Sequence, residues 1–223
     1  MNVYLSERFL RKFFRYVYYH ILPDANLWSG RASVFLVPIC LVKIKNDVVV
    51  DCRCIEEILD TNFKLQKLRY VIQLAIGDGT DTSIEQAFIH LNTNLLEITD
   101  NPIAFPGERL KLLMSEWLLK NPRVADEVDG VCHFHPVNLP LGELDLRTME
   151  KVAGVMVHFG KRKQIAILLA ADPSLNYVEM AKGRVTDFIE YMMRHLINIS
   201  LQAKVFYEGG GQETVNVLVR RKE

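Results

Sequence analysis

The stretch of sequence that decides the fold is residues 130–147, which read GVCHFHPVNLPLGELDLR. Its first half has the pattern of a β-strand, in which successive side chains point to opposite faces. On such a strand His133 and His135 share one face, and Cys132 and Phe134 share the other. The stretch therefore predicts a strand that presents two imidazoles next to each other.

A loop and a helix are expected after this strand. Pro136 ends the strand, because proline cannot donate a hydrogen bond to a sheet, and Asp145 stands where a helical pattern begins. Two imidazoles and a carboxylate, with a fourth position left for water, are typical of a catalytic rather than a structural zinc site. A second interpretation stays open: hydrogen bonds alone can hold two strand histidines, and an aspartate before a helix is often an N-cap.

The same stretch resembles the JAMM (also called MPN) family of zinc-dependent isopeptidases. The family pattern is His-x-His-Pro, followed after a short loop by Ser-x-x-Asp. Residues 133–136 (His-Phe-His-Pro) fit the first half, and residues 142–145 (Gly-Glu-Leu-Asp) stand at the second half, after a loop one residue shorter and with glycine in place of serine. The resemblance implies that His133, His135 and Asp145 bind Zn²⁺.

The resemblance also implies a fold, a three-layer α/β/α architecture with a mixed central sheet, similar to that of cytidine deaminases. From about residue 69 to 175 the expected order is strand, strand, helix, histidine strand, loop, helix and apolar strand, as in the JAMM core. We therefore expect a JAMM-like domain over residues 61–223. Residues 1–60 are then an N-terminal extension or a divergent start, made of a basic aromatic helix and a hairpin.

The family chemistry needs two further groups near the metal. A glutamate acts as the general base, and a serine hydroxyl stabilises the oxyanion. The strand at which the family carries its glutamate corresponds here to residues 70–77, YVIQLAIG, which contain no acid. Glu57 is the first candidate for the base, because a helix beside the sheet can point it at the metal. Gly142 stands at the serine position, where its backbone N–H is the available donor.

The leading hypothesis is a zinc-dependent isopeptidase or protease that removes a ubiquitin-like protein from conjugates or precursors. The missing serine and glutamate favour a second hypothesis, a catalytically inactive JAMM-like scaffold or binding subunit. A third, an unrelated His-x-His metallohydrolase such as an amidohydrolase or a PHP phosphoesterase, is disfavoured. Only residues 136–223 follow His135, and they contain no second histidine cluster.

The composition limits the other classes. The 223 residues carry 27 basic and 27 acidic side chains, so the chain as a whole lacks the excess of positive charge that favours binding to nucleic acid. Four cysteines are too few for a disulfide scaffold in a chain of this length. We expect reduced, mostly buried thiols in a cytoplasmic protein. We also expect no secretory signal and no membrane span, because no apolar run is long enough.

The N-terminal region predicts an amphipathic helix over residues 5–22, with Ser6 as its N-cap. Its polar surface carries four cations, Arg8, Arg11, Lys12 and Arg15. Such a helix can bind an acidic protein partner or lie on a membrane surface. The favoured interpretation is that it packs on its own domain and leaves its basic face in solvent.

The remaining pattern predicts alternating strands and helices. Strands are expected over 32–44, 48–53, 69–76, 84–96, 130–135 and 164–171, helices over 54–67, 106–119, 144–159 and 185–201, and a final hairpin over 204–207 and 214–219. The strand over 164–171 is uninterruptedly apolar, which predicts a central strand covered on both faces.

Overall fold

A computed structural model describes residues 1–21, 33–35, 39–54, 70–72, 118–135, 155–172 and 174–220. Nine strands and four α-helices have defined bounds in these segments. In chain order they are β1 (Asn2–Ser6), α1 (Glu7–Ile21), β2 (Ser33–Phe35), β3 (Ile39–Lys45), β4 (Val48–Cys54), β5 (Tyr70–Ile72), α2 (Pro122–Ala125), β6 (Gly130–His135), β7 (Lys163–Ala171), α3 (Tyr177–Ala181), α4 (Val185–Arg194), β8 (Ile199–Tyr207) and β9 (Gln212–Arg220).

Seven of these strands form one closed, mixed sheet in the order β1-β4-β3-β6-β7-β8-β9. The first strand closes the sheet, because β1 pairs in parallel with both β4 and β9. β6 and β7 are also parallel, and the other neighbours in the sheet are antiparallel. β2 and β5 form a separate antiparallel pair.

The predicted three-layer α/β/α fold is wrong. The described chain is a closed seven-stranded mixed barrel with few helices. The error has a local cause and a long-range cause. Locally, Leu5 fits the helical stripe that follows it, yet it lies in β1, the strand that closes the sheet. At long range, the parallel pairing of β1 with β9 joins residues more than two hundred positions apart, and no local periodicity reports such a pairing.

The domain boundary predicted near residue 60 stays a prediction, because residues 55–69 lie outside the described part of the chain. Residues 1–54 supply three strands of the closed sheet, namely β1, β3 and β4. Among the other predicted elements, those over 54–67, 84–96, most of 106–119 and the first part of 144–159 fall mainly or wholly outside the described residues.

The strand expected over 164–171 is confirmed as β7. Every residue from Gln164 to Ala171 is buried, as a strand covered on both faces requires. The side chains of Ile165, Ile167 and Leu169 join the main hydrophobic core, while Ala166 and Leu168 on the opposite face are buried as well.

The helix α1 packs its apolar stripe into the same core. Phe9, Leu10, Phe13, Phe14 and Val17 are all fully buried, and the rings of Phe9 and Phe13 stack with centroids 5.7 Å apart. The expectation that this helix packs on its own domain is confirmed. Among the described residues, no helix combines the length and the apolar character that crossing a bilayer requires.

Ser6 connects the end of β1 to the start of α1. Its Oγ accepts a hydrogen bond from the backbone N–H of Phe9 at 3.2 Å and donates one to the carbonyl of Val49 in β4 at 2.7 Å. The predicted N-cap is therefore confirmed, although the helix begins at Glu7 rather than at residue 5.

Two predicted hairpins are also confirmed. β3 and β4 meet at Asn46 and Asp47, which both have positive φ angles (50° and 62°), as a two-residue type I′ turn demands. β8 and β9 are joined by a turn through Gly209, Gly210 and Gly211, of which Gly209 and Gly210 have positive φ. Gly160 has φ 77° at the end of the turn over residues 158–160, which follows the helical residues 155–157.

The helix predicted over 185–201 is too long. α4 ends at Arg194, and β8 already begins at Ile199. Of the apolar residues that extend the helical stripe, Leu196 lies in a 3₁₀ turn (Leu196–Asn198), and Ile199 and Leu201 belong to β8, which pairs with β7 over its whole length. Tertiary pairing therefore overrides the helical period here.

All four cysteines are free and buried, as predicted. Cys40 lies opposite Cys54 across β3 and β4, and opposite Cys132 across β3 and β6. Burial raises the pKa of the Cys40 and Cys132 thiols well above the usual range. Because the thiolate is the reactive form of cysteine, we expect these two thiols to react slowly in the folded protein.

Replacing Ser6 by alanine is expected to destabilise the protein by about 1–2 kcal/mol, because both hydrogen bonds at the β1–α1 junction are lost. Urea unfolding followed by circular dichroism measures this change. Ser6→Thr is the matched control, since threonine keeps the hydroxyl. Equal stability of Ser6→Ala and the unsubstituted protein would contradict the junction described above.

The folded protein is expected to show no thiol that reacts rapidly with Ellman's reagent, and the denatured protein to show all four. The cause is burial, since none of the four is more than 2 % exposed. Glutathione in the same buffer provides the reference rate. A native thiol that reacts at the glutathione rate would show that this part of the core is open.

Candidate functional site

The candidate site lies on β6, a strand enclosed on both sides by neighbours. β3 pairs with it antiparallel and β7 parallel, so that His133 lies between Ile39 and Leu168. Gly130 allows β6 and β7 to approach closely at the start of the strand. A Cβ atom there would lie 2.1 Å from the carbonyl oxygen of Ile165.

Asp129 fixes the chain immediately before β6. Its carboxylate accepts a hydrogen bond from the backbone N–H of Ile44 at 2.7 Å and pairs with the Lys161 ammonium at 3.1 Å. Its own N–H donates to Val42, and its carbonyl accepts from Ile165. The entry to the histidine strand is thus held from both neighbouring strands.

The core face of β6 sets the direction of the histidines. Cys132 and Phe134 are buried in the hydrophobic core, and the ring of Phe134 meets that of Tyr177 edge-on with centroids 6.0 Å apart. Because side chains alternate along a strand, His133 and His135 lie on the opposite face. The sharing of one face by the two histidines was predicted from the sequence, and the structure confirms it.

The two imidazoles converge on each other. Their Nε2 atoms are 3.1 Å apart, and the rings are tilted by 70° with centroids 4.8 Å apart. His133 is only 3 % exposed, whereas His135 is partly accessible. The pair therefore has a buried member and a member that reaches toward solvent.

The two Nε2 atoms can interact in two ways. One ring can donate a hydrogen bond to the other, provided that only one Nε2 carries a proton. Alternatively, both can ligate one cation. Two nitrogens bound about 2.0–2.1 Å from a tetrahedral zinc ion are about 3.3–3.4 Å apart, a few tenths of an ångström more than the 3.1 Å observed. The pair thus fits half of a zinc ligand set.

The other predicted site residues lie outside the described part of the chain. These are Asp145, the predicted third ligand, Glu57, the predicted base, and Gly142. Within the described residues, no group of three or more His, Cys, Asp and Glu side chains is placed to hold a metal. The structure therefore brings together two of the three predicted ligands, and the third stays a prediction.

The sheet register adds neighbours that sequence reasoning did not identify. Ala170 on β7 lies beside His135, and Ser200 on β8 lies beside Ala170 on the same face. The next row contains His133, Leu168 and Gln202. Alternation along β7 and β8 predicts the faces of these residues, but only the register shows that they adjoin the histidines.

The histidines that were not assigned to the site include His195, which the structure places elsewhere. It caps the end of α4, where its Nδ1 is 2.8 Å from the carbonyl oxygen of Tyr191 and its ring lies against the Tyr191 ring. A hydrogen bond and an aromatic contact thus explain this residue without a ligand.

Compared with protein-family models and with curated proteins, the chain matches none of them. The resemblance to the JAMM family therefore rests on the residues of the motif alone and stays a prediction.

Proposed function

We propose that this protein is a zinc-dependent isopeptidase or protease that removes a ubiquitin-like protein from conjugates or precursors. The observation that carries the proposal is the 3.1 Å separation of the His133 and His135 Nε2 atoms on one enclosed strand. The His-x-His-Pro sequence and the acid that follows it support the same chemistry. The proposal rests on these residues and not on the fold class.

In the proposed site His133, His135 and Asp145 hold the metal, and the fourth position is left for water. Bound zinc supplies a Lewis acid and lowers the pKa of a bound water. Glu57 is proposed as the general base, with a carboxylate that takes a proton and passes it to the leaving amine. Gly142 offers its backbone N–H to the oxyanion. Four buried, reduced thiols fit a reducing compartment such as the cytoplasm.

A second candidate is a catalytically inactive binding subunit. One observation favours it: β5, which belongs to the strand where the family carries its glutamate, contains no acid and pairs with β2 in a sheet separate from β6. The general base would then have to come from another element. A scaffold that keeps the histidines without the base would bind a partner rather than cleave it.

Measuring the metal content distinguishes two histidines that bind a metal from two histidines that only hydrogen-bond to each other. We expect about one zinc per purified chain, lost in His135→Ala and in Asp145→Ala, because each variant removes one of three protein ligands. His195→Ala is the matched control and should retain the metal. His135 is the better histidine to replace, since its partial exposure makes misfolding less of a concern than at His133. Equal zinc content in all variants, or none in any, would contradict the site.

Cleavage separates the enzyme from the binding subunit. The protein is incubated with a panel of ubiquitin-like domains fused at their C-termini to a reporter, and release of the reporter is followed. We expect cleavage that a chelator stops and zinc restores, with Glu57→Gln slower by about 10²–10⁴-fold. Zinc binding with no cleavage of any fusion would favour the binding subunit and contradict the enzyme.

A further inference from the structure

A groove of about 670 Å³ separates α1 from α4 on the surface. Its α1 wall carries the four cations noted in the sequence, Arg8, Arg11, Lys12 and Arg15, and its α4 wall includes Ile189 and Glu190. Positions three, four and seven residues apart lie on one face of a helix. The cations therefore form a row about 10 Å long, at 1.5 Å per residue.

The middle of this row is neutralised within the protein. The Arg11 guanidinium pairs with Glu7 at 2.7 Å and with Glu190 across the groove. The Lys12 ammonium pairs with Asp51 of β4 at 2.7 Å. These contacts hold α1 against its neighbours and use the charge of both central cations.

The two ends of the row are different. Arg8 and Arg15 are exposed. In the described part of the chain the ion pairs of this row are those of Arg11 and Lys12, and Arg8 acts on the Asp51 carboxylate only through its charge, without a direct ion pair. A guanidinium can bind a carboxylate through two parallel hydrogen bonds, which makes arginine well suited to recognising acidic side chains. Two such groups about 10 Å apart match carboxylates three residues apart on a chain in the extended polyproline II conformation. Its three residues per turn put these carboxylates on one side, and its rise of about 3.1 Å per residue puts them about 9 Å apart.

We propose that this groove binds an extended acidic segment of a partner protein, whose carboxylates pair with Arg8 and Arg15. A concave groove fits a single chain better than a flat bilayer. Between Arg8 and Arg15 every apolar residue of α1 is buried in the core, so that the row itself offers no apolar side chain for insertion into lipid; the exposed Tyr19 lies further along the helix. Glu7 and Glu190 line the same groove and are both paired with Arg11, so that the cations left free stand apart at the two ends of the row. Two separated cations suit two separated carboxylates better than the continuous negative charge of a nucleic acid backbone.

The proposed groove is independent of the histidine pair. The apolar residues of α1 share the core with Cys132 and Phe134, whereas His133 and His135 lie on the opposite face of β6. An acidic partner can therefore occupy the groove without contacting the imidazoles, and each proposal can fail without the other.

The test measures binding of a fluorescein-labelled peptide with six consecutive glutamates between Gly-Ser flanks, by fluorescence anisotropy at 50 mM and 300 mM salt. We expect binding that weakens with salt and that falls at least about tenfold in the double variant Arg8→Gln/Arg15→Gln, because both ion pairs are lost. The matched control, Arg123→Gln/Arg162→Gln, removes two exposed arginines elsewhere and should bind like the unsubstituted protein.

Three outcomes would overturn the proposal. In the first, the unsubstituted protein does not bind the peptide. In the second, the two double variants lose affinity equally. Alternatively, phosphatidylserine vesicles or a single-stranded oligonucleotide bind as tightly as the peptide and lose affinity in Arg8→Gln/Arg15→Gln. The last result would assign the groove to a lipid surface or a nucleic acid instead. Circular dichroism of both variants verifies that the fold is intact.

Discussion

The parallel insertion of β1 between β9 and β4 is the constraint on which the rest of the structure depends. Five consecutive residues of β1 pair with β9, and the N–H of Tyr4 donates to the carbonyl of Asp47, in the turn just before β4, at 2.8 Å. Without β1 the sheet would have two open edges, which are costly because their backbone groups lack partners. Ser6 ends this strand and caps α1, so that closing the sheet also places the helix over the core.

Closure has a direct consequence for the candidate site. β6 has a neighbour on each side, a core face filled by Cys132 and Phe134, and an entry fixed by Asp129. The backbone that carries the histidines therefore has little freedom to shift. Groups mounted on a strand of this kind keep their mutual geometry better than groups on a loop. The separation of the two Nε2 atoms is thus set by the sheet rather than by the side chains alone.

The sequence predicted what depends on local pattern. The alternation around His133 predicted β6 and the shared face of its histidines, and the apolar run predicted a strand buried on both faces. Strand order was not predictable, because it depends on which distant residues pair. β1 is too short to show a period of its own, and the spacing of Leu5 assigned it to the apolar stripe of α1. The site has the same limit: strand spacing places two imidazoles together, but the position of Asp145 depends on the path of a loop.

The burial of His133 argues that packing alone does not explain the histidine pair. On its face of the sheet the residue two positions before it, Val131, and its partner on β7, Leu168, are apolar and buried. A valine or leucine at position 133 would continue this row and would need no polar partner. A buried imidazole needs one, and the Nε2 of His135 lies at hydrogen-bonding distance. Stability alone therefore favours an apolar residue here, and local conflicts of this kind are expected at functional sites.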